Sequence, residues 1–302
     1  MLIAAAGATL GAMAGGRAGR SSKNKKAAAG RGFATPPAAA ATATHAERYA
    51  ARMEDLLLRS LHVQEIWERL SPDVPAFDAV TRSAEVRPST IEGLGLFARV
   101  EMAENAVASF YPIHALGSGS GDGGVCLTSG DANNAYFGAD EKSAPYRATP
   151  SHRTLSTSAW PDDLWIDANP NLEDKPGWLA HRANDAAFMT AGHPAQADIL
   201  AYYSQCREAA NCVLVPFGAA APVMCLWTLR PVAAGEELLQ IYGHDYWVTR
   251  QGGGRVPPMS EAVLAAVKGC GWKQAVRSAV SDHQPARYAE EVELMETILA
   301  GS

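Results

Sequence analysis

Most of the residue patterns that mark catalytic or metal chemistry are missing from this chain. Its five cysteines, at positions 126, 206, 212, 225 and 270, never fall into C-x-C or C-x-x-C spacing. That spacing argues against a zinc cluster and a disulfide framework, and it suits a reducing compartment. No apolar run reaches the roughly 18 residues of a membrane-spanning helix, so no membrane partner is expected. The histidines and carboxylates form no H-E-x-x-H, and neither G-x-S-x-G nor a P-loop is present. No metal site is therefore expected. Acidic residues are absent from positions 1–46, which carry Arg17, Arg20, Lys23, Lys25, Lys26 and Arg31. The remainder holds 20 basic against 32 acidic residues, a net charge of −12. Such a body is a poor match for phosphate backbones, so no direct nucleic-acid contact is expected. It suits a cationic partner instead.

What is present divides the 302 residues into one domain with extensions. Residues 1–45 are rich in Ala, Gly and Ser and cannot bury enough surface to fold alone. Two readings stay open for them: an organelle transit peptide, or an alanine-biased disordered segment. The first implies a chloroplast or mitochondrion; the second leaves nucleus or cytoplasm. Residues 46–79 read as an N-terminal helix and linker. Leu56, Val63, Trp67 and Leu70 recur at helical spacing, Leu57, Leu61 and Ile66 widen the stripe, and Ser71-Pro72 ends it.

From residue 80 the pattern turns β-like, with strands expected at 84–87, 95–100, 106–111, 164–167, 213–217 and 223–229. Asn105 stands at a turn whose left-handed conformation asparagine tolerates. Residues 117–163, rich in Gly, Ser, Asp, Asn and Pro, read as a variable insertion or mixed loops. Residues 186–210 read as a second insertion, containing the apolar run Ile199-Leu200-Ala201-Tyr202-Tyr203. In 251–302, Gly252-Gly253-Gly254 reads as a hinge before helices at 261–268 and 286–299. The fold class expected is α+β and β-rich, with the main domain over 80–250.

Four segments carry chemistry, each weakly when taken alone. Gly93-Leu94-Gly95 is a tight turn entering a strand, where missing side chains let a ligand approach the backbone. It lacks the third glycine of the dinucleotide fingerprint and opens a strand, not a helix. His181-Arg182-Ala183-Asn184-Asp185 offers an asparagine able both to donate and to accept, although Asn-Asp is also a common polar turn. Asn211-Cys212 offers a cysteine that reads as a small buried residue. Gly235-Glu236-Glu237-Leu238 runs into Tyr242-Gly243-His244-Asp245-Tyr246-Trp247, where a tyrosine before a turn is either core or site.

In this order the four segments resemble the SET domain of protein-lysine methyltransferases, over about half of the chain. The resemblance implies a fold of several small curved sheets with a knot-like crossing, flanked by helices. It implies S-adenosyl-L-methionine as cofactor, and methyl transfer to a lysine side chain of a protein or peptide. Gly93, Leu94, Gly95, Asn184, Asp185, Tyr242 and Trp247 are the cofactor-binding residues it implies, with Tyr242 also catalytic and Tyr246 walling the pocket. One departure stands out, Asp185 where the family usually has histidine. Asp185→His is accordingly expected to keep or raise cofactor affinity. The same departure, with the 186–210 insertion, supports the alternative of a catalytically inactive binding module that recruits protein partners. The single cysteine in 251–302 implies that the family's cysteine-rich C-terminal zinc segment is missing, and Trp272 or Tyr288 is expected to close the channel in its place.

Overall fold

The computed structural model describes residues 45–70, 75–118, 125–128, 146–148, 164–190, 193–217, 222–251 and 260–270, together with Glu293 and Thr297. The 1–44 segment, the glycine hinge, Trp272 and Tyr288 lie outside the described residues. So does most of the 286–299 helix, although Glu293 and Thr297 are both helical.

Helix α1 (His45–Leu70) spans the expected range and buries Met53, Leu56, Leu57 and Val63 on the core. Its buried Ser60 donates to the Leu56 carbonyl at 2.8 Å, so burial leaves the hydroxyl partnered. The side chains of Ile66, Trp67 and Leu70 lie outside the described residues. The expected 71–79 linker is shorter than its sequence suggests. Helix α2 (Pro75–Ser83) begins inside it, with proline at the first helical position, where its missing N–H costs nothing.

Strands β1 (Ala84–Pro88) and β2 (Leu94–Ala98) form an antiparallel hairpin. Strand β3 (Val107–Phe110) lies on the edge of a three-stranded antiparallel sheet with β9 (Cys212–Pro216) and β10 (Met224–Thr228). Asn105 before β3 has φ 61° and accepts from the Trp227 indole at 3.2 Å. The tolerated left-handed turn is thus also held by a side chain.

The 117–163 region corrects the loop assignment. Strands β4 (Ala115–Ser118), β5 (Val125–Thr128) and β6 (Arg147–Ala148) join β7 (Leu164–Asp167) in a four-stranded antiparallel sheet, ordered β5-β4-β7-β6. All four residues of β4 are buried, and Gly117 stands opposite Trp165. Gly117 and Ser118 are thus buried between paired strands on both sides, a tertiary placement that local composition does not display.

The 186–210 region also proves to be more than an appended loop. It carries helix α3 (Gln196–Ala209), which packs on α5 (Glu261–Gly269) beside α4 (His244–Arg250). A 3₁₀ turn (Ala180–Arg182) leads into β8 (Asn184–Asp185), which pairs in parallel with β11 (Leu239–Gln240). Two hydrophobic clusters result. The larger lies among the antiparallel sheets and α1, the smaller among α3, α4 and α5.

Candidate functional site

One continuous stretch, 235–240, assembles the site. Gly235 and Leu238 donate to Ala98 and Leu96, and Ala98 donates to Glu236, so the stretch lines up along β2. It then pairs with β8, Leu239 opposite Asn184 and Gln240 opposite Asp185. Asn211 braces the junction. Its amide nitrogen donates to Glu236 Oε1 at 3.0 Å and to the Glu237 carbonyl at 2.8 Å, and its oxygen accepts from Leu239 N at 2.8 Å. Segments far apart in sequence therefore meet at one place. Beside Asn211, Cys212 is fully buried and burial pushes its thiol up, which keeps it protonated and inert.

A cavity of about 340 Å³ opens there, within the usual range for small-molecule sites. Gly93, Leu94, Asn184, Asp185, Tyr242 and Trp247 all line it. Gly95 does not. A Cβ at Gly95 would stand 2.2 Å from Glu237 Oε1, so its missing side chain admits that carboxylate, not a ligand. Gly93 needs glycine for another reason: its φ is +51°, and nothing crowds its Cβ position. Tyr246, expected at the wall, lines the cavity with its ring 4.7 Å from that of Tyr242.

Asn184 is held by its amide nitrogen. That group sits 3.0 Å from Glu237 Oε1 and 3.3 Å from the carbonyls of Glu92 and Leu94. Three acceptors around one atom fix which end of the amide is nitrogen. The amide oxygen, which has no hydrogen-bond partner among the described residues, is left to accept from a ligand.

Tyr242 is anchored at both ends. Its hydroxyl donates to the Ala183 carbonyl at 2.7 Å, and its backbone N–H lies 3.3 Å from Asp185 Oδ1. Burial raises its pKa, so the phenol stays protonated. With the proton committed to Ala183, the hydroxyl oxygen retains lone pairs for a donor in the cavity.

Asp185 is buried, and every group that meets its carboxylate is a donor or a weak donor. Oδ2 accepts from the Tyr202 hydroxyl at 2.7 Å and from Trp247 Nε1 at 2.6 Å; Cys206 Sγ lies 4.0 Å from Oδ1. Burial nevertheless outweighs these donors and lifts the carboxyl to about 6. This geometry reverses the expectation for Asp185→His. An imidazole offers one acceptor, and one only while neutral, where the carboxylate now serves the Tyr202 hydroxyl, the Trp247 indole and the backbone N–H groups of Tyr242 and Ala187.

Several residues bear on the site without having been singled out for it in the sequence. Tyr202 and Phe188 lie outside the four segments, Phe188 with its ring 4.4 Å from that of Trp247, and Glu237 lies within the fourth but only here shows its Oε1 on Asn184. At the mouth, Arg250 bonds Glu92 at 2.6 Å and the Tyr246 hydroxyl at 2.8 Å, linking α4 to the β1–β2 turn. His181, buried and also lining the cavity, lies 3.3 Å from Asp174, while burial lowers its pKa and keeps it neutral. The spacing of Ile199, Tyr202, Tyr203 and Cys206 was the one available signal for Tyr202, since it marks a single helix face. No group of three or more potential metal ligands occurs among the described residues.

No protein-family model matches the chain, and no curated protein matches it. Among solved structures, it is similar to a Plasmodium falciparum protein provisionally named as a histone methyltransferase, at 10% identity and TM-score 0.30, over 55% of this chain and 97% of that one. It is also similar to the ATXR5 SET domain in complex with a dimethylated histone H3, at 16% identity and TM-score 0.33, over 56% and 62%. The methyltransferase domain of human PR domain-containing protein 2 matches at 14% identity and TM-score 0.25, over 63% and 86%. Likenesses of that size leave function to be argued from the residues themselves.

Proposed function

We propose that this protein transfers a methyl group from S-adenosyl-L-methionine to a lysine side chain of a protein or peptide. The observation that carries the reading is convergence. Gly93-Leu94, Asn184-Asp185 and Tyr242 to Trp247, separated by up to some 150 positions in sequence, line one cavity in the arrangement that the SET resemblance implies. The same reading takes the parallel crossing of β8 and β11 as the knot-like feature of that family.

The residues present fit such a cofactor. The open amide oxygen of Asn184 suits an ammonium donor, and the Phe188–Trp247 pair offers an aromatic wall to a heterocycle. When bound, S-adenosyl-L-methionine supplies an electrophilic methyl group on a sulfonium sulfur. The rest falls to the chain. Lysine's amine, with an unperturbed pKa of about 10.4, must lose a proton before it can attack. The rings of Tyr242, Tyr246 and Trp247 desolvate that neighbourhood and so disfavour the ammonium form. The Tyr242 oxygen, its own proton held by Ala183, is placed to accept from the amine and orient its lone pair. Holding nucleophile and methyl in line supplies several kcal/mol of the barrier reduction without any metal.

Calorimetric titration with S-adenosyl-L-methionine, followed by a radiolabelled transfer assay on a lysine-peptide array, tests the proposal. Micromolar-range binding with label incorporation is expected, and Tyr242→Phe should lower kcat about tenfold or more while cofactor affinity stays within a few-fold. Binding without transfer to any peptide would select the inactive binding-module reading. No binding at millimolar cofactor sinks the methyl-transfer reading.

A further inference from the structure

Methyl transfer by the cavity residues alone leaves helix α3 without a role, yet α3 sends a buried side chain into the site. Tyr202, 2% exposed, uses its hydroxyl twice: it donates to Asp185 Oδ2 at 2.7 Å and accepts from Gly243 N at 2.9 Å. The preceding amide, Tyr242 N, points to Asp185 Oδ1 at 3.3 Å. Two consecutive N–H groups of the tyrosine turn thus end on one Asp185–Tyr202 pair. Gly243 there has φ +99°, a conformation that needs both glycine and external support. The third donor, Trp247 Nε1 at 2.6 Å, ties the first turn of α4 to the same carboxylate.

The geometry points to Tyr202 and Asp185 as a positioning relay that sets Tyr242 for methyl transfer, with α3 as the element that supplies it. Asp185 cannot donate while ionised, so it needs a partner that donates to it and accepts from Gly243; a tyrosine hydroxyl does both. Phenylalanine at 202 would keep the ring contact with Tyr203 (centroids 5.0 Å apart) and strand both the Gly243 amide and one carboxylate lone pair. The aspartate and the helix after it are therefore one device: the departure at 185 is answered at 202.

This inference rests on the methyl-transfer reading, but one readout does not. In the full-length wild-type chain, the Trp247 indole and the Tyr242 and Gly243 amide resonances are followed by NMR as pH is lowered. Gly243 touches Tyr202 and not Asp185, so all three should shift with a common midpoint as the carboxylate protonates. The titratable groups facing Asp185 are Tyr202 and Cys206 from α3 and Tyr242 from the opposite side. Those three stay neutral over this range, and His244, next to Gly243 and lowered by burial, is told apart from Asp185 by following its own ring resonances and by the Trp247 indole, which bonds Asp185 directly. A Gly243 amide that ignores this transition overturns the relay, whether or not the protein methylates anything. In Tyr202→Phe the indole midpoint should move to higher pH, because a bond favouring the carboxylate is gone. The acid limb of the kcat profile should move with it, with kcat lower by about tenfold and the cofactor KM within a few-fold. Asp185→Asn/Tyr202→Phe should be no slower than Asp185→Asn alone, as expected of residues acting as a unit. An unshifted midpoint, or additive losses in the double variant, overturns the proposal. A wild-type chain without transferase activity fails the functional reading, while the NMR titration still decides whether the relay exists.

Discussion

The two hydrophobic clusters are built differently. In the larger one, Phe110, Ile113, Leu116, Leu164 and Trp227 are essentially sealed from solvent, and Phe110 packs between Trp178 and Phe217 at 5.1 and 5.2 Å. Apart from the Trp227 indole, which donates to Asn105, these side chains are held by dispersion and buried area. In the smaller one the rings end in polar atoms with fixed partners: Tyr202 and Trp247 on Asp185, Tyr203 on His244 Nδ1 at 2.8 Å. Apolar burial supplies stability in bulk, and hydrogen bonds in a low-dielectric setting supply direction. The site sits against the second kind, where a side chain's orientation matters more than its volume.

The strongest test of that contrast is a large deletion in the sealed cluster. Phe110→Ala should cost about 3–5 kcal/mol of unfolding free energy, from lost transfer and an unfilled cavity between two rings. Because Phe110 is not among the residues that line the site cavity, cofactor affinity of the folded fraction should change less than about twofold. Urea unfolding followed by calorimetric titration checks both halves. A loss under about 1 kcal/mol would mean that the larger cluster is looser than its burial indicates.

The smaller cluster should show itself in pH dependence. Asp185 is raised to about 6, so it remains protonated in the folded chain where the unfolded chain has already ionised. Its contribution to stability is fully present below about pH 4, the unfolded carboxylate value, and is lost as pH climbs through 6. The gap between about 4 and about 6 corresponds to about 3 kcal/mol. Asp167, also raised to about 6 by burial against the pull of Arg147, acts in the same sense. His114, lowered to about 4 by burial, acts in the opposite one. Unfolding free energies of wild type and Asp185→Asn, measured from pH 4 to 7, isolate the contribution of this carboxyl. The difference between them should change by about 2 kcal/mol across that range, and parallel profiles would place the charge elsewhere.

The sequence and the structure part company along the same line. Periodicity found α1 closely and six of the strands to within one or two positions, because those elements bury a face that repeats along the chain. It missed β4, since Ala115-Leu116-Gly117-Ser118 carries no alternation and is made a strand by its pairing with β7 on one side and β5 on the other. Within the site, Asn184, Tyr242 and Trp247 were legible because they sit in ordered motifs. Glu237 was legible as a motif residue but not as a partner of Asn184, and Tyr202 only as part of an apolar run, because what matters is which atoms face them: Gly95 leaves space for one, and Gly243 and Asp185 face the other. Spacing can suggest such pairings along one helix, but not across a chain crossing.

Asn184 tests the smallest effect. Alanine removes the amide from a nest of Glu237 Oε1 and two carbonyls, all near solvent, so stability should fall by less than about 1 kcal/mol. The cost should appear in binding instead. Under the proposed function the open amide oxygen accepts from the cofactor ammonium, and losing it strands that donor in a confined space. Cofactor affinity should weaken about tenfold, or roughly 1.4 kcal/mol. Asn184→Asp sharpens the point: it keeps the acceptor, yet it sets a carboxylate against Glu237 Oε1 and two carbonyls, where like charge is repelled. If Asn184→Ala binds S-adenosyl-L-methionine as tightly as wild type, the amide serves only to join β8 to the β1–β2 turn. The cavity's recognition of an amino-acid group must then fall to Arg250 or the 91–94 backbone.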